Sequence, residues 1–511
     1  MTTGSCGQVT APAGNGRVLA SVLIAVTLLS VPLTPEFAGA ESAPTITLAD
    51  SIQAVLRRDN DSIRVQDEKV KTASSAAQQA AGQFDWGVQA QTGWQALYVP
   101  RVLNGVVPGK GVLTNQTDIL SAYFYNLSVG REFRNGVQIA PGVTAYPSTS
   151  GATTAQTFGL TALRPSLGLR IPLIQGLGQE AADSAELAAK ATLNGTRFDR
   201  DFAIAHVAHD VVQIYWRCVA AAQVADISVQ SLKDGEEYAS SMKEQAARGL
   251  VEKSVAEAAD AADATRRITL QQNQDAAVAC RRDLAMATTG EAILATPAPV
   301  PAGRLPEIEG ADAIVDGLNV NALNELALNN RSDLKAAREY VSAALASRKG
   351  AEDTTSPNLT LSVDPTRALV IYSQSLENNA SEGRAAQALS AQRQAEIALH
   401  QLETQIQVDI TDALRNLKGA ITEWRTASDA VSQTAAAVAS DEKRARFGVL
   451  ARRDLLTTKD QLTLIETDRV NAELLFASSV ATLRLITGTV HPEEETAAAS
   501  AEKFASLPAP G

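Results

Sequence analysis

The sequence predicts a mainly α chain with a β-barrel part, a duplicated long-helix coiled coil combined with transmembrane β-strands, on three observations. Two helical patterns of nearly equal length run from Gln179 to about Ala246 and from Ser381 to about Arg444. Each leads into a glycine turn and a second helical run, through ARGLVEKSV (247–255) and RFGVLARRDLL (446–456). Ahead of the first long pattern, about residues 84–173 alternate with a period of two, the signature of strands.

In chain order, Arg17 precedes an apolar run from Val18 to Leu33, and Ala38-Gly39-Ala40 places small residues before Glu41. This pattern predicts an export signal over 1–40. Beyond it no run is long enough for a transmembrane helix, so residence in a membrane requires a barrel.

Residues 41–290 form the first of two copies. They open on a helical segment, 46–82, with Asp50 as an early cap or first-turn acid. Trp86, Val88, Ala90, Thr92, Trp94, Ala96 and Tyr98 then share one strand face, opposite Gln89, Gln91, Gly93 and Gln95. An apolar face with aromatic ends backed by glutamines suits a wall between lipid and water. A loop from Pro100 to Thr117 follows, then a second alternating run carrying Tyr123, Tyr125, Leu127, Val129 and Phe133. Asn135-Gly136 signals a tight turn into Val137–Tyr146, and an extended run from Phe158 closes with RIPLIQGLG (170–178). The long helices of this copy occupy about 179–288. At about 1.5 Å per residue the first is a rod on the order of 100 Å long, which must pack on similar rods.

Residues 291–317 read as a linker, because Pro297, Pro299, Pro301 and Pro306 favour an extended strap. The second copy spans 318–488. Leu323, Leu326 and Leu334 around LNNRSD repeat Ile52, Val55 and Ile63 around RRDND. Gly448 to Gly488 repeats the spacing of Gly249 to Gly290. Its hairpin, about 357–376, has arms at or just below the length a membrane strand requires. Its long helices fill about 381–486, where Leu455, Leu462, Arg469, Phe476 and Leu483 recur every seven residues. Residues 489–511, with an acidic triplet and an Ala/Pro-rich end, read as a disordered tail.

The net charge of −12 argues against nucleic acid or anionic headgroups as the main partner. Alanine is abundant and only 4% of residues are aromatic, which suits close-packed helical rods better than one large globular core. Cys218 and Cys280 lie in helical patterns of small residues and read as unpaired thiols, with a bridge as the alternative. No Walker loop, nucleophile elbow or paired-cysteine motif stands in the chain, and no cofactor or catalytic residue is assigned. His206 and His209 are three apart on a helix, a weak metal pattern read instead as a solvated or pore-lining face. Arg266, Arg267, Arg281 and Arg282 read as solvated faces or interhelix ion pairs.

The duplicated order of helix, strands, long helix, glycine turn and helix resembles the outer-membrane efflux (TolC-type) channel proteins, on RIPLIQGLG, RFGVLARRDLL and the matched long helices. The resemblance spans about 46–488. It implies a homotrimer sharing one β-barrel in outer-membrane lipid above a helical tunnel, or α-barrel, that crosses the periplasm. It also implies a periplasmic adaptor (membrane fusion) protein and an inner-membrane pump as partners, in efflux or type I secretion. By position, Gly249 and Leu250 with Gly448, Val449 and Leu450 correspond to the adaptor-contacting tips. Asp454 corresponds to an acid pointed into the pore near its closed end, where symmetry-related carboxylates would repel one another and attract cations. The family's second acid is replaced by Thr457, which leaves a single ring or one that uses Asp460. For Asp454 itself, a helix first-turn acid is the equal alternative. A periplasmic coiled-coil scaffold without channel activity is the competing reading of the whole chain.

Overall fold

The computed structural model describes residues 44–57, 60–102, 115–146, 162–289, 298–365 and 367–508. The expected export signal lies outside the described residues.

The chain starts with a short strand, β1 (Thr45–Ile46), and a helix, α1 (Leu48–Arg57). Thr47 and Asp50 cap α1 reciprocally: the Asp50 amide donates to Thr47 Oγ1 (3.1 Å) and the Thr47 amide to Asp50 Oδ2 (3.3 Å). The single helix expected over 46–82 is two. Asn60 starts α2 (Asp61–Ala81), its side chain accepting from the Ser62 amide, so this polar cap divides the run.

A 3-10 turn (Gly82–Phe84) leads into β2 (Gly87–Val102), β3 (Asn115–Glu132), β4 (Gln138–Tyr146) and β5 (Ala162–Pro172). β2 and β3 run further than the expected loop allowed, because the ladder continues through Pro100↔Thr117 to Val102↔Asn115. The Asn135-Gly136 turn forms as expected, with Gly136 N–H donating to the Phe133 carbonyl.

Next come a single turn, α3 (Gln179–Ala182), and the 64-residue α4 (Ser184–Ala247), which turns back as α5 (Lys253–Thr289). The linker is more than a strap: β6 (Val300–Pro301) pairs parallel with β1, and α6 (Ala311–Asp316) is helical. Its prolines precede α6, which begins after Gly310, and Lys418 and Arg425 pair with Asp316 and Asp312 to hold it. α7 (Val320–Asn330) and α8 (Ser332–Asp353) then lead to the hairpin β7 (Asn358–Asp364) and β8 (Arg367–Ser373). The 68-residue α9 (Asn379–Arg446) and α10 (Arg452–Ile486) follow.

The tail expected to be disordered carries α11 (Ala497–Ala505). Phe504 is fully buried against α1 and α10, Arg484 donates to the Ser506 and Leu507 carbonyls, and Arg200 clamps Glu493. One aromatic anchor and paired acids outweigh the disorder-prone composition.

The helices lie side by side. At the strand end α4 packs between α2 and α8, with α9 beyond α8; at the other end α4 packs between α5 and α10, again with α9 beyond. α4 and α9 therefore run through both halves. Near the middle α10 serves two cores, giving Ala477 and Ala481 to the one around Val212, Tyr215, Leu284 and Phe504, and Phe476, Val480 and Leu483 to the one around Ile406, Ile410 and Leu417. Each fully buried large apolar side chain there stabilises the array by roughly 1.5–3 kcal/mol.

Cys218 and Cys280 form a disulfide, which corrects the unpaired reading. They stand on antiparallel neighbours, α4 and α5, with Cα atoms 5.3 Å apart.

The six strands make one sheet in the order β2-β3-β4-β5-β7-β8. Register sorts its faces. Val88, Ala90, Thr92 and Trp94 lie beside Val129, Leu127 and Tyr125, then Val143 and Ala145, then Pro165. The opposite face presents Gln89 and Gln91, Asn126 and Ser128, Thr144 and Ser166. Among the described residues no helix is long and apolar enough to cross a membrane.

Candidate gate at the helical tips

Both long helices end in the same way. At the first turn Gly249 N–H donates to the Ala246 carbonyl and Leu250 N–H to that of Gln245. At the second, Gly448 N–H donates to Ala445 and Val449 N–H to Arg444. This is the Schellman pattern, which needs a left-handed residue after the helix; Gly249 has φ 70° and Gly448 φ 72°. A side chain at either would strain the turn. The turns present apolar groups to solvent: Leu250 and Val449 are each 69% exposed and Phe447 84%. Leu450 is half-buried. Arg452 donates to Ser241 Oγ (2.8 Å), which joins the two hairpins close behind their turns.

Asp454 lies in the first turn of α10, its amide donating to the Ala451 carbonyl. Its side chain is exposed and has no ion-pair partner among the described residues. Asp460 is engaged: Arg266 of α5 holds both carboxylate oxygens, at 3.3 and 2.5 Å. Of the two acids raised from the sequence, only Asp454 is without an ion pair among the described residues.

A polar network behind the turns joins the hairpins further, and the sequence did not reveal it. Lys459 of α10 bridges Asp234 of α4 (2.9 Å) and Glu442 of α9 (3.1 Å). Burial alone would lower the Lys459 pKa, but the hydrogen bonds to Asp234 and Glu442 outweigh it and raise the ammonium above the ordinary lysine value. Thr458 donates to Asp441 Oδ2 (3.1 Å). The Lys459–Asp234 pair can hold α4–α5 against α9–α10 while it is made, and frees them when it is not, while Glu442 and the Thr458–Asp441 bond brace α10 on α9. Their signal in the sequence was only charge on otherwise helical faces.

Nearer the middle, His206 and His209 both face Asp210 (3.2 and 3.4 Å), and His209 also meets Thr482. Among the described residues no group of three or more His, Cys, Asp or Glu side chains is placed to hold a metal ion. Burial pushes the His209 imidazole down, Asp210 opposing it. Of the four arginines, Arg266 and Arg267 make ion pairs, Arg267 with Glu236 and Asp263.

No protein-family model and no curated protein matches the sequence. Solved structures do match the fold. The Campylobacter jejuni CmeC outer membrane channel aligns over 90% of both chains at 12% identity, TM-score 0.63. The Vibrio cholerae outer membrane protein VceC aligns over 86% of this chain and 96% of its own, at 14% identity and TM-score 0.60. The open state of the Neisseria gonorrhoeae MtrE outer membrane channel aligns over 86% and 88%, at 16% identity and TM-score 0.58. The chain has the fold of these channels.

Proposed function

We propose that this chain is an outer-membrane exit channel, assembled from three copies, with its β-sheet in the outer membrane and its helices reaching into the periplasm. The observation that carries this reading is the alignment of free edges. α2 leads through the Gly82–Phe84 turn into β2, and β8 is followed by α9. β2 and β8 are the two ends of the sheet, while α2 and α9 are the two ends of the helical array beside it. One side of the chain thus offers α2 with the free edge of β2, and the other offers α9 with the free strand edges of β8 and, beyond it, of β5. Head-to-tail edges of this kind build a ring when the rotation from copy to copy closes, which three copies would do here. The apolar and polar sheet faces then become a lipid-facing wall and a wet lumen.

The exposed apolar turns at Gly249-Leu250 and Gly448-Val449-Leu450 support contact with a periplasmic adaptor protein, and through it an inner-membrane pump. Asp454 would face its symmetry mates at the narrow end, and three carboxylates there favour cations. Opening would separate α9–α10 from α4–α5 as the Lys459 and Arg266 pairs are broken. The two halves of the chain act as two repeats of one unit in this account, and no bond chemistry is assigned to them.

The reading is tested by fractionation and mass. The protein should sediment with outer membranes, require detergent for extraction, and have three times the mass of one chain after subtraction of detergent. Recovery as a soluble periplasmic protein would refute it and leave the coiled-coil scaffold.

A further inference from the structure

The two copies do not contribute alike to the sheet. β2, β3, β4 and β5 have 16, 18, 9 and 11 residues. β7 and β8 have 7 each. A tilted strand needs about 9–11 residues to cross the hydrocarbon layer. Among the described residues, the four strands of that length or more all precede α4.

The register shows where the short hairpin sits. One rung runs Gln89↔Ser128, Ser128↔Gly142 and Gly142↔Ser166; the next runs Gln91↔Asn126, Asn126↔Thr144 and Thr144↔Arg164. Both cross four strands and stop at β5. β7 pairs with β5 only from Leu169 to Pro172, on the helix side of both rungs, and β8 faces β7 over that same level. The hairpin therefore reaches no further than the level at which β2 begins its run, and the outer edge of β5 from Ala162 to Gly168 carries no strand partner among the described residues.

We propose that this β5 edge is the pairing site for β2 of a second copy. The ring in the membrane is then built from four strands per chain, all from the first half, while β7–β8 forms a collar on its periplasmic side, outside the lipid. Direction permits the pairing: β2 through β5 are successively antiparallel, so the next β2 runs antiparallel to β5. Level favours it, since β5 is free alongside the start of β2, whereas the seven residues of β8 lie below. Aromatic placement agrees. Trp86, 54% exposed, immediately precedes β2 at the base of the four long strands, where an amphipathic ring favours the headgroup layer.

This inference rests on the channel reading, and the test separates the two. Gln89→Cys is combined in turn with a cysteine at each position from 162 to 168, and in a parallel set with Leu369→Cys or Ile371→Cys on β8. The protein, in outer membranes, is oxidised with copper phenanthroline and its chain-to-chain products are sized. Within one chain these positions are separated by intervening strands, so bridges form between copies. Ladders to a covalent trimer from β2–β5 pairs, with none from β2–β8 pairs, are expected. Val370→Cys should also react with a water-soluble maleimide in those membranes. β2–β8 bridges, or a trimer with no β2–β5 bridge, would overturn the proposal and leave the channel standing. A soluble monomer with no bridge of either kind would overturn both.

Discussion

Arg266 reaches Asp460 by passing over Gly235. A Cβ at Gly235 would stand 2.7 Å from Arg266 Cδ, so the absence of a side chain on α4 opens the path from α5 to α10. The bidentate pair that results lies one residue along from the Lys459 bridge to Asp234 and Glu442. Together they tie the two helical hairpins behind their turns. Half-buried pairs of this kind contribute roughly 1 kcal/mol each. Lys459→Ala with Asp460→Ala should therefore raise the open probability in single-channel recordings on the order of tenfold. Gly235→Leu, which displaces Arg266 without removing a charge, should act in the same direction and more weakly.

Asp454 carries the prediction about ions. Asp454→Asn should raise leak conductance or antibiotic sensitivity and reduce cation preference, measured as the reversal potential across a salt gradient. An unchanged phenotype and reversal potential would remove Asp454 from the constriction and return it to the role of a helix first-turn acid.

The disulfide bears on stability. It closes a separation of 62 residues, for which chain-entropy models give about 4 kcal/mol. Cys218→Ser with Cys280→Ser should lower the thermal midpoint of the purified protein measurably, and dithiothreitol should do the same to the parent chain but not to the double variant.

Glu186 predicts a dependence on acid. The hydrogen bond from Arg134 comes first among the causes that hold its carboxyl at about 2, below the ordinary 4.5; burial opposes this and Lys190 assists it. A depressed pKa contributes stability that is present above the unfolded value and lost as pH falls through the folded one. The stabilisation is thus complete above about pH 5 and disappears toward pH 2. Glu186→Gln should cost roughly 2 kcal/mol at pH 7, discounted because Arg134 and Lys190 are half-exposed, and should be nearly neutral at pH 2. Thermal midpoints of both proteins across that range provide the measurement.

Much of the architecture was legible because it rests on strong local signals. Gly249 and Gly448 end their helices as the sequence indicates, since only a residue tolerant of positive φ completes that turn. The alternation around Val88 and Tyr125 anticipated the sheet faces, because period two is the period of a strand. What stayed hidden depends on which helices are neighbours. Nothing near Lys459 in sequence marks Asp234 as its partner. The cysteine pair could have been found: Cys218 stands 31 residues before Gly249 and Cys280 31 after it, and positions equidistant from the turn of a helical hairpin face each other. The tail was misjudged because composition outweighed Phe504, a single side chain whose burial organises α11.

Planar-bilayer conductance of the purified protein, with its oligomeric mass determined in the same detergent, tests the central claim most directly. The account predicts a trimer that inserts as discrete channels, closes for much of the time, and opens more often in the Lys459→Ala with Asp460→Ala variant. A protein of any mass that leaves the bilayer insulating, in both the parent and that variant, would contradict it.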